Sequence, residues 1–172
     1  MNSISEITKK ASIAFEQYAF TTALQRANFL ETIASNIEAL GDTLLEQAHK
    51  ETNLPLVRLQ GERARTCFQL RMFATMLKEG HYVEASIDTA IPSKTPPKPD
   101  IRKMLHPIGP VVVFGASNFP FAYSTAGGDT ASALAVGCPV IVKAHPAHLA
   151  TSTLVAEAIV QAAETTKMPK DI

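Results

Sequence analysis

Residues 106–148, HPIGPVVVFGASNFPFAYSTAGGDTASALAVGCPVIVKAHPAH, decide the fold. An apolar run over residues 111–114 ends at Gly115, and a polar, proline-containing loop with Asn118 follows. A small-residue segment, 125–136, then ends at Gly137, and a second apolar run, 140–142, ends at Lys143. Strand, loop, helix and strand over roughly 30 residues is the span of a βαβ unit. Neither run alternates in polarity, which predicts parallel strands covered on both faces. Open α/β sheets bind ligands beyond the carboxyl ends of their strands. Asn118 and Lys143 both lie at such ends, so any chemistry is to be sought there.

Upstream of this unit the chain reads as helices. Ser3-x-x-Glu6 and Thr22-x-x-Gln25 have the form of capping boxes, each followed by apolar residues at helical spacing. Gly41 ends the second helix and Asp42 is expected to cap a third. Pro55 suits the first turn of a fourth, with Asn53 as its expected cap. That helix carries Leu59, Ala64, Cys67, Leu70, Phe73 and Leu77 as a stripe and closes at Gly80. Arg58, Arg63, Arg65 and Arg71 read as its solvated or ion-paired face. Residues 82–88 alternate and suggest a strand, and residues 101–105 a return strand. Pro92, Pro96, Pro97 and Pro99 exclude a central strand or a helix between them. The result is an exposed arm whose edge needs a cover, for which a partner subunit is one candidate. Downstream, Thr151 or Ser152 opens a last helix. A two-stranded parallel sheet is too small for a stable open sheet. A third strand is therefore expected, and the sequence reads as cut within a domain.

The distribution of charge agrees with this division. Residues 1–110 hold 25 of the 32 charged residues, and six of the eleven prolines fall between Pro92 and Pro110. Sixteen basic residues balance sixteen acidic ones, which gives no global electrostatic case for nucleic acid or an anionic membrane. No apolar run approaches the roughly 18 residues of a membrane span, and the N-terminus has no apolar leader core. Cys67 and Cys138 lie far apart without CxxC spacing. Reduced, buried thiols and a cytoplasmic location are the corresponding expectation.

Few residues could carry chemistry. The Asn118 amide could donate to a developing oxyanion, or it could bond its own backbone in a turn. Lys143 stands where a dinucleotide fold holds the adenosine ribose, or it is a solvent-facing strand end. Gly115, Gly127, Gly128 and Gly137 do not form G-x-G-x-x-G; the Gly127–Gly128 pair suggests close packing before the helix. His145 and His148 are three apart, but no Cys or carboxylate lies near enough in sequence to complete a metal site. Cys138 begins a buried strand and reads as inert core.

Residues 107–148 resemble the NAD(P)-dependent aldehyde dehydrogenases, and look most like the branch that includes α-ketoglutaric semialdehyde (2,5-dioxovalerate) dehydrogenase. Residues 51–74, ETNLPLVRLQGERARTCFQLRMFA, are similar to the helix preceding the oligomerisation arm in that branch. The resemblance implies an α/β fold: an incomplete Rossmann-like cofactor domain (its first βαβ unit) preceded by a helical subdomain and a β arm. It divides the chain into a helical part of the cofactor domain (1–80), a β oligomerisation arm (81–106) and the start of the NAD(P)-binding domain (107–172). Asn118 matches the asparagine that helps hold the thiohemiacetal oxyanion. Lys143 matches the lysine on the adenosine ribose, and Phe114, Gly115, Ala116 and Ser117 match the strand-end segment lining the cofactor cleft. Many NAD-preferring relatives carry Glu where this chain has Pro146, so the resemblance favours NADP over NAD. It further implies an aldehyde substrate and a homo-oligomer formed through the arm. The family's nucleophilic cysteine and general-base glutamate match no residue of this sequence, so the 172-residue chain alone is expected to be inactive. A non-catalytic interaction module is the alternative.

Overall fold

The computed structural model describes residues 3–172. Both capping boxes form. Ser3 Oγ accepts from the Glu6 amide while Glu6 Oε2 accepts from the Ser3 amide, and Thr22 and Gln25 repeat the exchange. They open α1 (Ile4–Tyr18) and α2 (Ala23–Ala39). Next come α3 (Gly41–Thr52) and the long α4 (Leu56–Glu79). Phe29, Leu30, Ile33 and Ile37 of α2 are buried with Leu44 and Leu45 of α3 and Leu59, Leu70 and Leu77 of α4. At about 1.5–3 kcal/mol for each fully buried aliphatic or aromatic side chain, this cluster is the main stabilising element of the N-terminal half.

Three local expectations are corrected. Asp42 does not cap α3; it lies in the first turn, and no side chain caps that helix. Asn53 does not cap α4 but ends α3, in the left-handed conformation at φ 56° that asparagine tolerates. The inward stripe of α4 is also displaced. Ala64 is exposed, while Glu62 and Thr66 are buried.

After α4, residues 81–83 form a 3-10 turn, so the first arm strand is shorter than residues 82–88: β1 is Ser86–Asp88. The Tyr82 hydroxyl accepts from Arg26 at 2.8 Å, which ties the base of the arm to α2. β2 (Ile101–Lys103) pairs antiparallel with β1, and Ile91 bridges Lys98 across the proline-rich turn. Lys98 and Asp88 form an ion pair on the arm.

β3 (Val111–Phe114) and β4 (Val140–Lys143) pair in parallel, with α5 (Gly128–Val136) between them in sequence. The expected βαβ unit is therefore present, but its sheet is covered on one face only. Val113 is buried, whereas Val112 and Phe114 are 52% and 72% exposed. With Ile108, Met104 and Tyr82 they line an open apolar cleft of about 940 Å³. Helix α5 starts three residues later than residue 125 because residues 124–127 turn back on themselves. The Gly127 amide donates to Ser124 O and the Gly128 amide to Ala122 O. A Cβ on Gly127 would lie 2.3 Å from Ala122 O, so only glycine fits. At the other end Gly137, at φ 98°, ends the helix. The α5 carbonyls of Leu134 and Ala135 accept from the buried Tyr18 hydroxyl (2.8 Å) and Arg26 Nε (2.7 Å).

Helix α6 (Leu149–Thr165) begins two residues before Thr151 and is capped from a distance. Glu51 of α3 accepts from the Ala150 amide, the Thr151 amide and the Thr151 hydroxyl, at 2.8, 2.8 and 2.6 Å. Burial alone would raise the Glu51 carboxyl, but the Thr151 and Ala150 donors outweigh it and hold the group below its ordinary value. A depressed folded value contributes stability above the ordinary carboxylate range, and that contribution is lost as pH falls through the folded value. Glu51→Ala is expected to cost about 1 kcal/mol at pH 7, the worth of a helix N-cap, and almost nothing near pH 2. Urea unfolding at the two pH values measures the difference.

Candidate active site

The site is built on the register of β3 against β4. Phe114 lies opposite Lys143, and the Gly115 amide continues the ladder to Lys143 O at 3.1 Å. A Cβ on Gly115 would lie 3.0 Å from Ser124 Oγ and 3.3 Å from the His145 amide nitrogen, so the strand end sits hard against the segment after β4. Ala116 is held on both sides. Its amide donates to Tyr123 O, and its carbonyl accepts from His148 Nε2, each at 2.8 Å. A carbonyl can only accept, so Nε2 carries the proton and Nδ1 accepts from the Ser152 hydroxyl. His145 Nδ1 accepts from the Ala147 amide. Both rings thus bond within the protein, and no group of three or more metal-type side chains converges among the described residues.

Beyond Ser117 the chain crosses the face of α4. Arg58, Glu62 and Arg65 share one side of that helix, at spacings of four and three, and each grips the loop. Arg58 Nη2 donates to Asn118 O at 2.6 Å, and its guanidinium lies 5.0 Å from the Phe119 ring centre. Buried Glu62 Oε1 accepts from the Phe121 and Ala122 amides at 2.8 and 2.9 Å. Arg65 Nη2 donates to the Tyr123 hydroxyl at 2.8 Å and lies 5.3 Å from that ring's centre. Phe119 and Tyr123 meet edge to face with centres 5.1 Å apart. The backbone around Asn118 is therefore fixed from one side while its side chain remains exposed. That side chain makes no hydrogen bond among the described residues, so the self-bonded turn asparagine is not what forms.

Lys143 and Pro146 are exposed at the end of β4 and just past it. No carboxylate pairs with Lys143 among the described residues, so its ammonium can donate to ribose hydroxyls or attract a phosphate. These groups fit the adenosine end of a dinucleotide. No hydrogen bond joins Asn118 to Lys143 among the described residues; Lys143 ends β4, and Asn118 lies four residues past the end of its partner strand β3. Of the residues matched to the oxyanion and cofactor sites, only Phe114 also borders the large apolar cleft, which opens on the uncovered sheet face and reaches neither Asn118 nor Lys143. Both cysteines are free and buried. Burial, with Glu38 adding to it, pushes the Cys67 thiol up to about 11, and the thiol donates to Ala34 O. It is a poor nucleophile.

Reading the α4 arginines as a solvated or ion-paired face held for Arg71, which pairs with Glu38, but missed the clamp that Arg58, Glu62 and Arg65 make on the loop. One signal was there: Glu62 stands three residues from Leu59 and eight from Leu70, on the apolar stripe itself. A carboxylate at a core position requires donors.

The aldehyde dehydrogenase family profile matches residues 2–172. α-Ketoglutaric semialdehyde dehydrogenase 2 of Azospirillum brasilense is 59% identical over 160 residues, covering 92% of this chain and 30% of that protein. α-Ketoglutaric semialdehyde dehydrogenase of Acinetobacter baylyi is 53% identical over 163 residues, covering 94% of this chain and 31% of that protein. The chain thus spans about a third of the length of these relatives. Betaine aldehyde dehydrogenase of Staphylococcus aureus, solved with NAD+, superposes with a TM-score of 0.80 at 22% identity, over 97% of this chain and 32% of that one. The last likeness establishes the fold, and the profile match establishes descent: the chain belongs to the aldehyde dehydrogenase family.

Proposed function

We propose that residues 1–172 supply the oxyanion donor and the adenosine-ribose anchor of an NAD(P)-dependent aldehyde dehydrogenase. The observation that carries this reading is the exposed Asn118 amide on a backbone clamped by α4, at the end of the strand paired with the one bearing Lys143. Asn118 donates to the oxygen of the reacting carbonyl. Lys143 binds the adenosine ribose, with Phe114, Gly115, Ala116 and Ser117 forming the wall beside it. The dinucleotide, when bound, accepts the hydride. Pro146 leaves this wall without an acidic side chain, which favours NADP+ through attraction of its 2′-phosphate to Lys143. The names of the relatives make α-ketoglutaric semialdehyde the preferred aldehyde.

On the same reading residues 1–80 are the helical part of the cofactor domain, 81–106 the arm, and 107–172 the start of the nucleotide-binding sheet. Ile87, Ile101, Met104 and Leu105 on and beside the arm strands are at least half exposed. This supports packing of the arm on another subunit. No helix among the described residues is long and apolar enough to cross a membrane, and with two free thiols we place the protein in the cytoplasm.

The test joins residues 1–172 to the remaining length of the Azospirillum relative. The joined enzyme is expected to oxidise α-ketoglutaric semialdehyde, with a lower KM for NADP+ than for NAD+. The 172-residue chain alone is expected to oxidise none. Turnover by the chain alone, or a folded joined enzyme without activity, would overturn the proposal.

A further inference from the structure

Two cations that hold the loop carrying Asn118 lack an anion among the described residues. Arg58 and Arg65 are exposed, and neither enters an ion pair among the described residues; Arg63 and Arg71 of the same helix are differently engaged, with Gly41 O and Glu38. Glu62, between them in sequence, is turned into the core, where its Oε1 is taken by the Phe121 and Ala122 amides. Each guanidinium uses Nη2 on the loop, and the other N–H donors of its fork have no hydrogen-bond partner among the described residues. Each also lies against an aromatic ring, which reduces the freedom of its side chain before any ligand arrives. The aromatic pair Phe119–Tyr123 makes an apolar surface between them.

We propose that Arg58 and Arg65 form the carboxylate-binding end of the substrate site. They would select aldehydes that carry an acid group at the far end of a short chain. This rests on the assignment of Asn118 to the aldehyde carbonyl. Arg58 is bonded to the Asn118 backbone, and Tyr123, which holds Arg65, is five residues further along the same clamped loop. A short ω-oxo acid with its carbonyl at the Asn118 amide would lay its methylenes on the Phe119–Tyr123 surface and its carboxylate on a guanidinium. An arginine fork suits this task because it can bind a carboxylate through two parallel N–H donors. A neutral aldehyde of the same length would gain the apolar contact and nothing from the arginines.

The experiment titrates the 172-residue chain with 4-oxopentanoate, a keto acid that is not an aldehyde, and follows its nitrogen and proton resonances. The methyl ester of the same acid and sodium chloride at matched ionic strength serve as controls. Saturable shifts are expected at the Arg58 and Arg65 Nε–H groups and the Tyr123 amide, with the acid binding at least about tenfold more tightly than the ester. The double variant Arg58→Met/Arg65→Met is expected to abolish the difference between acid and ester. Arg58→Lys/Arg65→Lys keeps the charge without the fork and is expected to retain part of it, which separates loss of the site from loss of the fold. Equal shifts with the ester or with chloride, or shifts centred elsewhere, would overturn the proposal. No turnover is read, so failure of the oxyanion assignment and failure of the anion site remain distinguishable.

Discussion

Asn118→Ala, introduced into the joined enzyme, is expected to lower kcat by about 10²–10³-fold while KM for the aldehyde changes by no more than a few-fold. The asymmetry follows from where the amide acts. A carbonyl oxygen in the ground state is a modest acceptor, whereas the oxygen that gathers charge on attack is a strong one. A donor held in place beforehand therefore stabilises the transition state more than the bound substrate. The Asn118 backbone meets this condition: Ala116 is fixed at both its amide and its carbonyl, and Arg58 takes the Asn118 carbonyl. The side chain forms no competing bond that would have to break. Steady-state rates over a range of aldehyde concentration give the two constants. A drop in kcat smaller than about threefold would remove Asn118 from the reaction.

The second large effect concerns Glu62. Glu62→Ala would leave the Phe121 and Ala122 amides buried without an acceptor. Each such donor costs about 1–3 kcal/mol. The variant is expected to lose about 3 kcal/mol or more, which for a chain of this size lowers Tm by about 6–12 °C. Glu62→Gln keeps an acceptor oxygen at the same reach and removes a buried charge, so it is expected to stay within about 1 kcal/mol of the parent. Thermal melts give the stability. Amide hydrogen exchange at Phe121 and Ala122 shows whether the loss is local. Unchanged protection at both amides in Glu62→Ala would sink the account of the clamp.

Elements set by local chemistry were legible in the sequence. The capping boxes at Ser3 and Thr22, the close at Gly80 and the β3–α5–β4 order each depend on residues within one turn or one strand. The positions of Lys143, the last residue of β4, and of Asn118, four residues past β3, were legible for a related reason: an apolar run and its last residue define where a strand ends. What stayed hidden was set by residues far apart in the chain. Glu51 caps a helix about 100 residues downstream, and three side chains of α4 hold a loop some 60 residues away. Most of the partners are backbone amides or a backbone carbonyl, which carry no sequence signature, and only the place of Glu62 on the apolar stripe of α4 hinted at one of these bonds. The strands misled for a different reason. An unbroken valine run suits a sheet covered on both faces, yet here one face of β3 is open. Among the described residues nothing lies over Val112 and Phe114 except the walls of a cleft.

The clamp also bears on how this sequence can vary. Residues 116–128 are fastened at Ala116, at Asn118, at the Phe121 and Ala122 amides, and at Gly127, whose backbone touches Ala122. Fasteners so closely spaced leave no slack for an added or deleted residue, since a change of one would shift every later donor away from its partner. The proline-rich turn of the arm is different: residues 92–97 are all exposed, and a single bridge between Ile91 and Lys98 closes it. Insertions and length changes should therefore accumulate in the turn of the arm, while the segment around Asn118 drifts only by substitution.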